Sequence, residues 1–300
     1  MSILMVGATG VLGSQATLML AKRGHKVAAL VRGGGSHPKS AQLVTAGIQV
    51  VDGDLTRAES LRAAVMGHET VVCSATSMPT AANDGLRTVD HDGTLHLIEA
   101  AEAEGVKRFV YVSYSGNIRQ DSPLETAKRD CENRLLGSRM EVVILRPSYF
   151  MEMWLSPALG FDPANGSVRA YGSGNAKVSY ISYSNVADFM TAVAIGESEG
   201  KATILEVGGP EALSQLDAVR IFERELGKEV RVDHVPMEGL QAQHQSSDPL
   251  QQTFGALMLS YANGDVIKDA ASVAERYRIQ LSSVSAFATG FSPAAGRNTA

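Results

Sequence analysis

Apolar residues fall in short unbroken runs, separated by longer stretches in which they recur every three or four positions. Ile3–Gly7 (ILMVG) predicts a strand, followed at once by glycines and then a helix to about Lys22. His25–Arg32 and Ile48–Asp54 predict two more strands, Ser60–Gly67 a helix, and Thr70–Thr76 a fourth strand. Gly93–Gly105 carries apolar positions at helical spacing and stops at a glycine. Lys107–Ser113 and Met140–Pro147 predict further strands on either side of a helix containing LETAK, residues 124–128. Runs apolar on both faces, alternating with helices, predict an α/β protein with a doubly wound parallel sheet. The rhythm changes after Pro147. Residues 149–177 are rich in Gly, Pro and aromatics and read as an irregular excursion. Val178–Gly196 predicts a strand and helix returning to the main sheet, and Ala202 begins a strand, a turn at Gly208–Pro210 and an amphipathic helix.

The rest of the composition narrows this only a little. The chain has 300 residues, 44% hydrophobic and 20% charged, an ordinary globular balance. Its formal net charge of −5 argues against a general affinity for nucleic acid or an anionic membrane. Cys73 and Cys131 are too few for a disulfide framework and lack metal-ligand spacing, which fits a reducing, cytoplasmic setting. The first residues carry no basic region of a signal peptide, and no stretch is long and apolar enough to span a bilayer. The tail Pro293–Ala300 is small and polar and is expected to be loosely held.

Chemistry enters at Gly7, Gly10 and Gly13, a G-x-x-G-x-x-G between a strand and a helix. Gly7 permits the sharp turn, Gly10 lets backbone approach a pyrophosphate, and Gly13 lets the helix pack on the strand, with phosphates at the helix N-terminus. That context identifies a Rossmann-type dinucleotide site over residues 1–148, completed by about 178–200. A smaller substrate lobe is expected from 149–177 and 201–300. Thr9, Val11 and Leu12 line the same turn. The second strand ends in Arg32, with Lys39 in the loop beyond and no acid until Asp52. An acid there would hold a ribose hydroxyl, whereas cations suit a 2′-phosphate, so NADP(H) is preferred over NAD(H). Solvated surface cations are the alternative for both residues. Asp54 and Leu55 are placed to edge the adenine, unless Asp54 caps the helix near Ala58, a task Thr56 can also perform. Ser74, Ala75 and Thr76 end the fourth strand and are either cofactor contacts or plain loop.

GATGVLG, the LVR strand end, VDGDL, FVYVSYSG, the Lys128 helix and ILRPSYFMEMW together resemble the atypical short-chain dehydrogenase/reductase group. Within it the chain is similar to NmrA-like and isoflavone-reductase-like members, from Ile3 to about Leu213 and more loosely to Phe291. In the parent superfamily a tyrosine and a lysine four residues later share a helix face; the lysine lowers the phenol pKa and the phenol protonates the nascent alkoxide. Here Lys128 matches the lysine, and Leu124 stands at the tyrosine position. The resemblance implies that Lys128 anchors the nicotinamide ribose and that Ser113 matches the catalytic serine. It also implies that Pro147, Ser148 and Phe150 pass beside the carboxamide. Tyr114, Tyr149, Phe150, Met153 and Trp154 are then candidates for an aromatic substrate wall, with lobe packing as the alternative. Tyr114 and Tyr149 are both candidates for a replacement proton donor, and no spacing argument chooses between them; Tyr149 joins Lys128 and Ser113 in the expected catalytic set. His91, Asp92 and His96 can be drawn as a metal cluster, but surface helix positions explain them better and no metal is expected. Asn185 replaces the aspartate that the family commonly carries before Val186 and Ala187; that aspartate is usually structural.

Three functions follow from these residues. The first is an NADPH-dependent reductase of a conjugated or aromatic small molecule such as a quinone, enone, azo compound or quinone methide, acting as a monomer or homodimer. The second is a non-catalytic NADP(H) sensor of the NmrA type, and the third an assembly or scaffold factor.

Overall fold

The central apolar runs become strands buried on both faces, whereas the run at Gln49–Asp52 forms an edge strand that is only partly buried. β4 (Thr70–Cys73) and β5 (Arg108–Val112) are buried at every position. The computed structural model describes residues 1–82, 84–198 and 200–291, so the expectation for the tail Pro293–Ala300 lies outside the described residues. In chain order, β1 (Ser2–Val6) leads to α1 (Val11–Lys22), β2 (Lys26–Val31), α2 (Ser40–Thr45), β3 (Gln49–Asp52) and α3 (Ala58–Val65) before β4. Next come α4 (Asp92–Ala103), β5, α5 (Pro123–Leu136), β6 (Glu141–Pro147) and α6 (Met151–Trp154). β7 (Phe161–Asp162), β8 (Ser167–Tyr171), β9 (Lys177–Val178), α7 (Tyr183–Ile195), β10 (Ala202–Val207), β11 (Leu213–Ser214) and α8 (Gln215–Leu226) follow. The described chain ends with β12 (Arg231–Val235), α9 (Met237–His244), α10 (Pro249–Asn263), α11 (Ala270–Arg276) and α12 (Val284–Thr289).

The main sheet has seven strands in the order β10-β6-β5-β4-β1-β2-β3. β1 through β6 pair in parallel, and the winding reverses between β1 and β4. That reversal opens a crevice at the carboxyl ends of β1 and β4, where such sheets bind ligands. The register aligns Ala28, Leu4, Val71, Phe109 and Val142 in one row across the sheet, and Leu30, Val6, Cys73, Tyr111 and Ile144 in the next but one. These residues form a single buried cluster with Leu61, Leu97, Ile98, Cys131 and Leu135 from the helices.

The chain divides into two compact units. The first comprises Met1–Tyr114, Pro123–Arg146 and Val186–Leu205; the second comprises Ser115–Ser122, Pro147–Asn185 and the chain from Glu206 onward. In the first unit, the buried Arg108 donates to the carbonyls of Val193, Ala194 and Gly196 at the end of α7 and pairs with Glu141 at 3.0 Å. In the second, β12, β8 and β7 form a small sheet, and Tyr149, Trp154, Tyr171, Tyr180 and Tyr261 pack their rings together. Asn185 is 2% exposed; its oxygen accepts from Ser282 N and its amide donates to Gln280 O, a donation the family's aspartate is unable to make. One local expectation changes. The strand expected at Val178 does not return to the main sheet: Lys177–Val178 pairs with β11 instead, and beyond it Ile181 makes a single bridge to Phe150. The backbone there takes scattered partners, Ser179 N on Asp265 O and Ile181 N on Tyr149 O, so no ladder forms. Ahead of α4, Leu86–His91 winds as a π-helix.

Candidate cofactor and active site

The turn from β1 into α1 leaves no room for side chains. Gly7 has φ +97°, and a Cβ there would meet Ala75 N at 2.8 Å. A Cβ on Gly13 would meet Gly7 O at 2.2 Å. Gly10 starts α1 without a side-chain cap, the first turn holds no acid, and Val11 is 60% exposed. An uncapped helix start behind a backbone cradle has the charge and shape for a pyrophosphate, so this loop fits a dinucleotide.

Around that loop the first unit gathers further candidates. Ser74 N donates to Val6 O, which sets Ser74 and Ala75 against Gly7, with Thr76 next in the chain. Lys39 donates from Nζ to the Thr9 carbonyl, so the loop after β2 reaches the turn after β1. Arg32 is exposed and makes no hydrogen bond among the described residues. Asp54 accepts from Thr56 N and Oγ1 at 2.9 and 2.8 Å, an Asx turn; the residue before α3 is Arg57, so neither Asp54 nor Thr56 caps that helix. Leu55 is buried.

The helix after β5 shows what became of the catalytic pair. Leu124, Lys128 and Glu132 lie four residues apart on α5, and all three are buried. Lys128 is 6% exposed; its Nζ donates to Val112 O at 3.2 Å and sits 5.0 Å from the centre of the Tyr111 ring. Glu132 is 2% exposed and takes Arg146 through Nε at 3.0 Å and Nη2 at 2.5 Å, and Arg129 Nη1 at 2.8 Å. Burial by itself would raise the Glu132 pKa, but Arg146, Ser113 and Arg129 together hold it below the ordinary carboxylate value. Arg129 also reaches Ser113 Oγ at 3.5 Å and the Tyr114 carbonyl at 3.3 Å. Sequence reasoning missed Arg129, Glu132 and Arg146. The signal was present for Glu132, which shares the buried helical stripe with Leu124 and Lys128.

Ser77 donates twice to the wholly buried Asp90, from N at 2.8 Å and Oγ at 2.6 Å, which fixes the loop following Thr76. His91 bonds Asp92 at 2.7 Å and Asp130 at 3.1 Å, whereas His96 is exposed. No group of three or more metal-binding side chains occurs among the described residues.

The remaining candidates belong to the second unit. Tyr149 is 3% exposed; its hydroxyl donates to Leu257 O at 3.0 Å and its ring meets Trp154 at 4.7 Å. Trp154 is buried against Tyr261, so Tyr149 and Trp154 are lobe core. Phe150 and Met153 stay partly exposed, with Phe150 stacked on Tyr183 at 4.5 Å. Ser148 donates from N to Val207 O; its buried hydroxyl has no partner among the described residues.

A doubly wound sheet with a glycine cradle at its reversal point defines an α/β protein with a dinucleotide-type loop. The chain belongs to the NmrA-like family, which it matches over residues 1–270. It is 30% identical over 244 residues to a photosystem II assembly factor of Trieres chinensis, covering 79% of this chain and 73% of that protein. It is also 30% identical over 273 residues to a chloroplastic divinyl chlorophyllide a 8-vinyl-reductase of Oryza sativa subsp. indica, covering 84% and 65%. Its fold is shared with an Escherichia coli NADPH-dependent quinone oxidoreductase solved with NADPH, at a TM-score of 0.79 and 20% identity over 96% of this chain and 99% of that one. Among the described residues no helix is long and apolar enough to cross a membrane.

Proposed function

We propose that this protein is an NADPH-dependent reductase of small conjugated acceptors such as quinones or enones. The observation that carries the reading is the pairing of Leu124 and Lys128, buried four residues apart on α5, in the unit that also holds the glycine cradle. The cradle Gly7–Gly13 and the start of α1 would hold the pyrophosphate, Ser74–Thr76 would border the cofactor, and Arg32 and Lys39 would face the 2′-phosphate. Bound NADPH supplies the hydride. Lys128, fixed by Val112 O and the Tyr111 ring, sits at the end of β5, where it would steady the ribose. Leu124 offers no proton, so the reaction must place its developing charge where an acid matters little. A ketone develops an alkoxide, whereas a quinone or enone spreads the charge over a conjugated system.

A second reading, an assembly factor, is favoured by the 30% identity to the Trieres chinensis protein. NADPH oxidation separates the two. Purified protein is expected to oxidise NADPH with a small quinone or conjugated enone faster than with an unactivated ketone. No oxidation above background across quinones, enones and azo dyes would leave the assembly or sensor readings.

A further inference from the structure

The tyrosine lost at position 124 left two candidates, and their surroundings differ. Tyr149 has its hydroxyl on Leu257 O and its ring inside an aromatic cluster. Tyr114 is partly exposed, and its hydroxyl makes no hydrogen bond among the described residues. It directly follows Ser113 at the carboxyl end of β5, within the unit that holds the glycine cradle and Lys128. Arg129 lies over its ring, with Cζ 4.8 Å from the centre, and Nη1 donates to its carbonyl at 3.3 Å. Arg129 is itself fixed by Glu132 at 2.8 Å and Glu125 at 3.6 Å, so the stack is held from both sides.

We infer that Tyr114 is the hydroxyl donor to the substrate oxyanion in this protein, and that Arg129 is the residue that positions it. The inference rests on the reductase reading. Burial pushes the Tyr114 phenol well above its ordinary pKa, against the opposing Arg129 charge, so the group remains a neutral O–H through the neutral range. A fixed neutral donor aimed at developing charge stabilises it without itself ionising. Hydride addition to a carbon of the conjugated acceptor moves one electron pair onto the acceptor oxygen. Tyr114 hydrogen-bonds that oxyanion, and a proton from water completes the two-electron reduction. The phenol ends the cycle as it began.

The test uses the full chain saturated with NADP⁺ and 4-nitrophenolate as an oxyanion probe, followed by its absorption shift. Tyr114→Phe is expected to weaken probe binding by about tenfold or more, the loss of one hydrogen bond to a charged group. Quinone turnover is expected to fall with it, while affinity for NADPH stays unchanged. Replacing Tyr114 by 3-fluorotyrosine keeps the shape and makes the hydroxyl a stronger donor, so probe binding is expected to tighten. Arg129→Lys, which keeps the charge and loses the planar stack, is expected to weaken the probe less than Tyr114→Phe does. Equal probe affinity in wild type and Tyr114→Phe, no probe binding by either, or looser binding by the fluorinated protein overturns the assignment. Wild-type turnover with no dependence on Tyr114 sinks this inference alone. Absence of wild-type turnover with every acceptor sinks the reductase reading beneath it.

Discussion

Glu132→Gln removes one negative charge from a buried cluster and leaves two guanidinium groups facing a neutral amide. The side chain of Glu132 is 3% exposed, and those of Arg129 and Arg146 are 19% and 21% exposed. Breaking a buried pair by deleting one partner costs about 3–5 kcal/mol. The two arginines retain some water and glutamine keeps an acceptor oxygen, so the lower end, about 3 kcal/mol, is expected. That is about two powers of ten in the folding equilibrium. Acid provides an independent check. A carboxylate whose folded pKa is depressed contributes stability that is fully present above its unfolded value, about 4.3, and lost as pH falls through the folded value. Wild type is therefore expected to lose stability on acidification below that value, and Glu132→Gln to lose less over the same range. Equilibrium urea unfolding at neutral and acid pH, followed by far-UV circular dichroism, measures both effects, with an unchanged slope showing that the comparison is sound. An unchanged midpoint at neutral pH would refute the ion-pair reasoning. So would an acid loss of the same size in both proteins.

Two further outcomes test the cofactor side. Arg32→Ala is expected to erase most of the preference for NADPH over NADH, at about 1.5–3 kcal/mol for a lost charge-assisted phosphate contact; equal affinities in the wild type would end the idea. Lys128→Ala is expected to lower turnover of an accepted quinone more than it weakens NADPH binding, because the ribose is one of several cofactor contacts; titration and steady-state rates on the same preparation decide it.

The doubly wound sheet was legible because parallel strands buried on both faces cannot hide their apolar runs. β4 and β5 are uniformly buried and stand out from the helices around them. The glycine cradle was legible for a related reason, since backbone at a Cβ-excluding distance admits only glycine. Helix α5 was misleading. Its residues KRDCEN look like a solvated charged surface, yet Lys128 and Glu132 are buried on the same face as Leu124, Cys131 and Leu135. The period was present, but the charges hid it, because a partner such as Arg146 lies on another element. The π-helical segment Leu86–His91 carried no pattern distinct from a helix. What accompanies it is a contact thirteen residues apart, Ser77 on Asp90, which no local spacing announces. Short strands such as β9 and β11 have only two residues each and leave no alternation to read.

The same cluster bears on why a leucine is tolerated at position 124. The resemblance to the short-chain dehydrogenase group implies two hydroxyl donors for an alkoxide, a tyrosine and a serine. The tyrosine position holds Leu124, 5% exposed, which leaves no polar atom in need of a partner. The serine is present and buried, and Arg129 approaches its oxygen at 3.5 Å. On the reductase reading proposed above, the donor at position 124 is withdrawn by substitution. On that reading a substrate that concentrates charge on a single oxygen would gain nothing from Leu124, whereas one that spreads the charge over a conjugated frame would need only a modest donor. A preference for conjugated acceptors would then trace to Leu124 on α5.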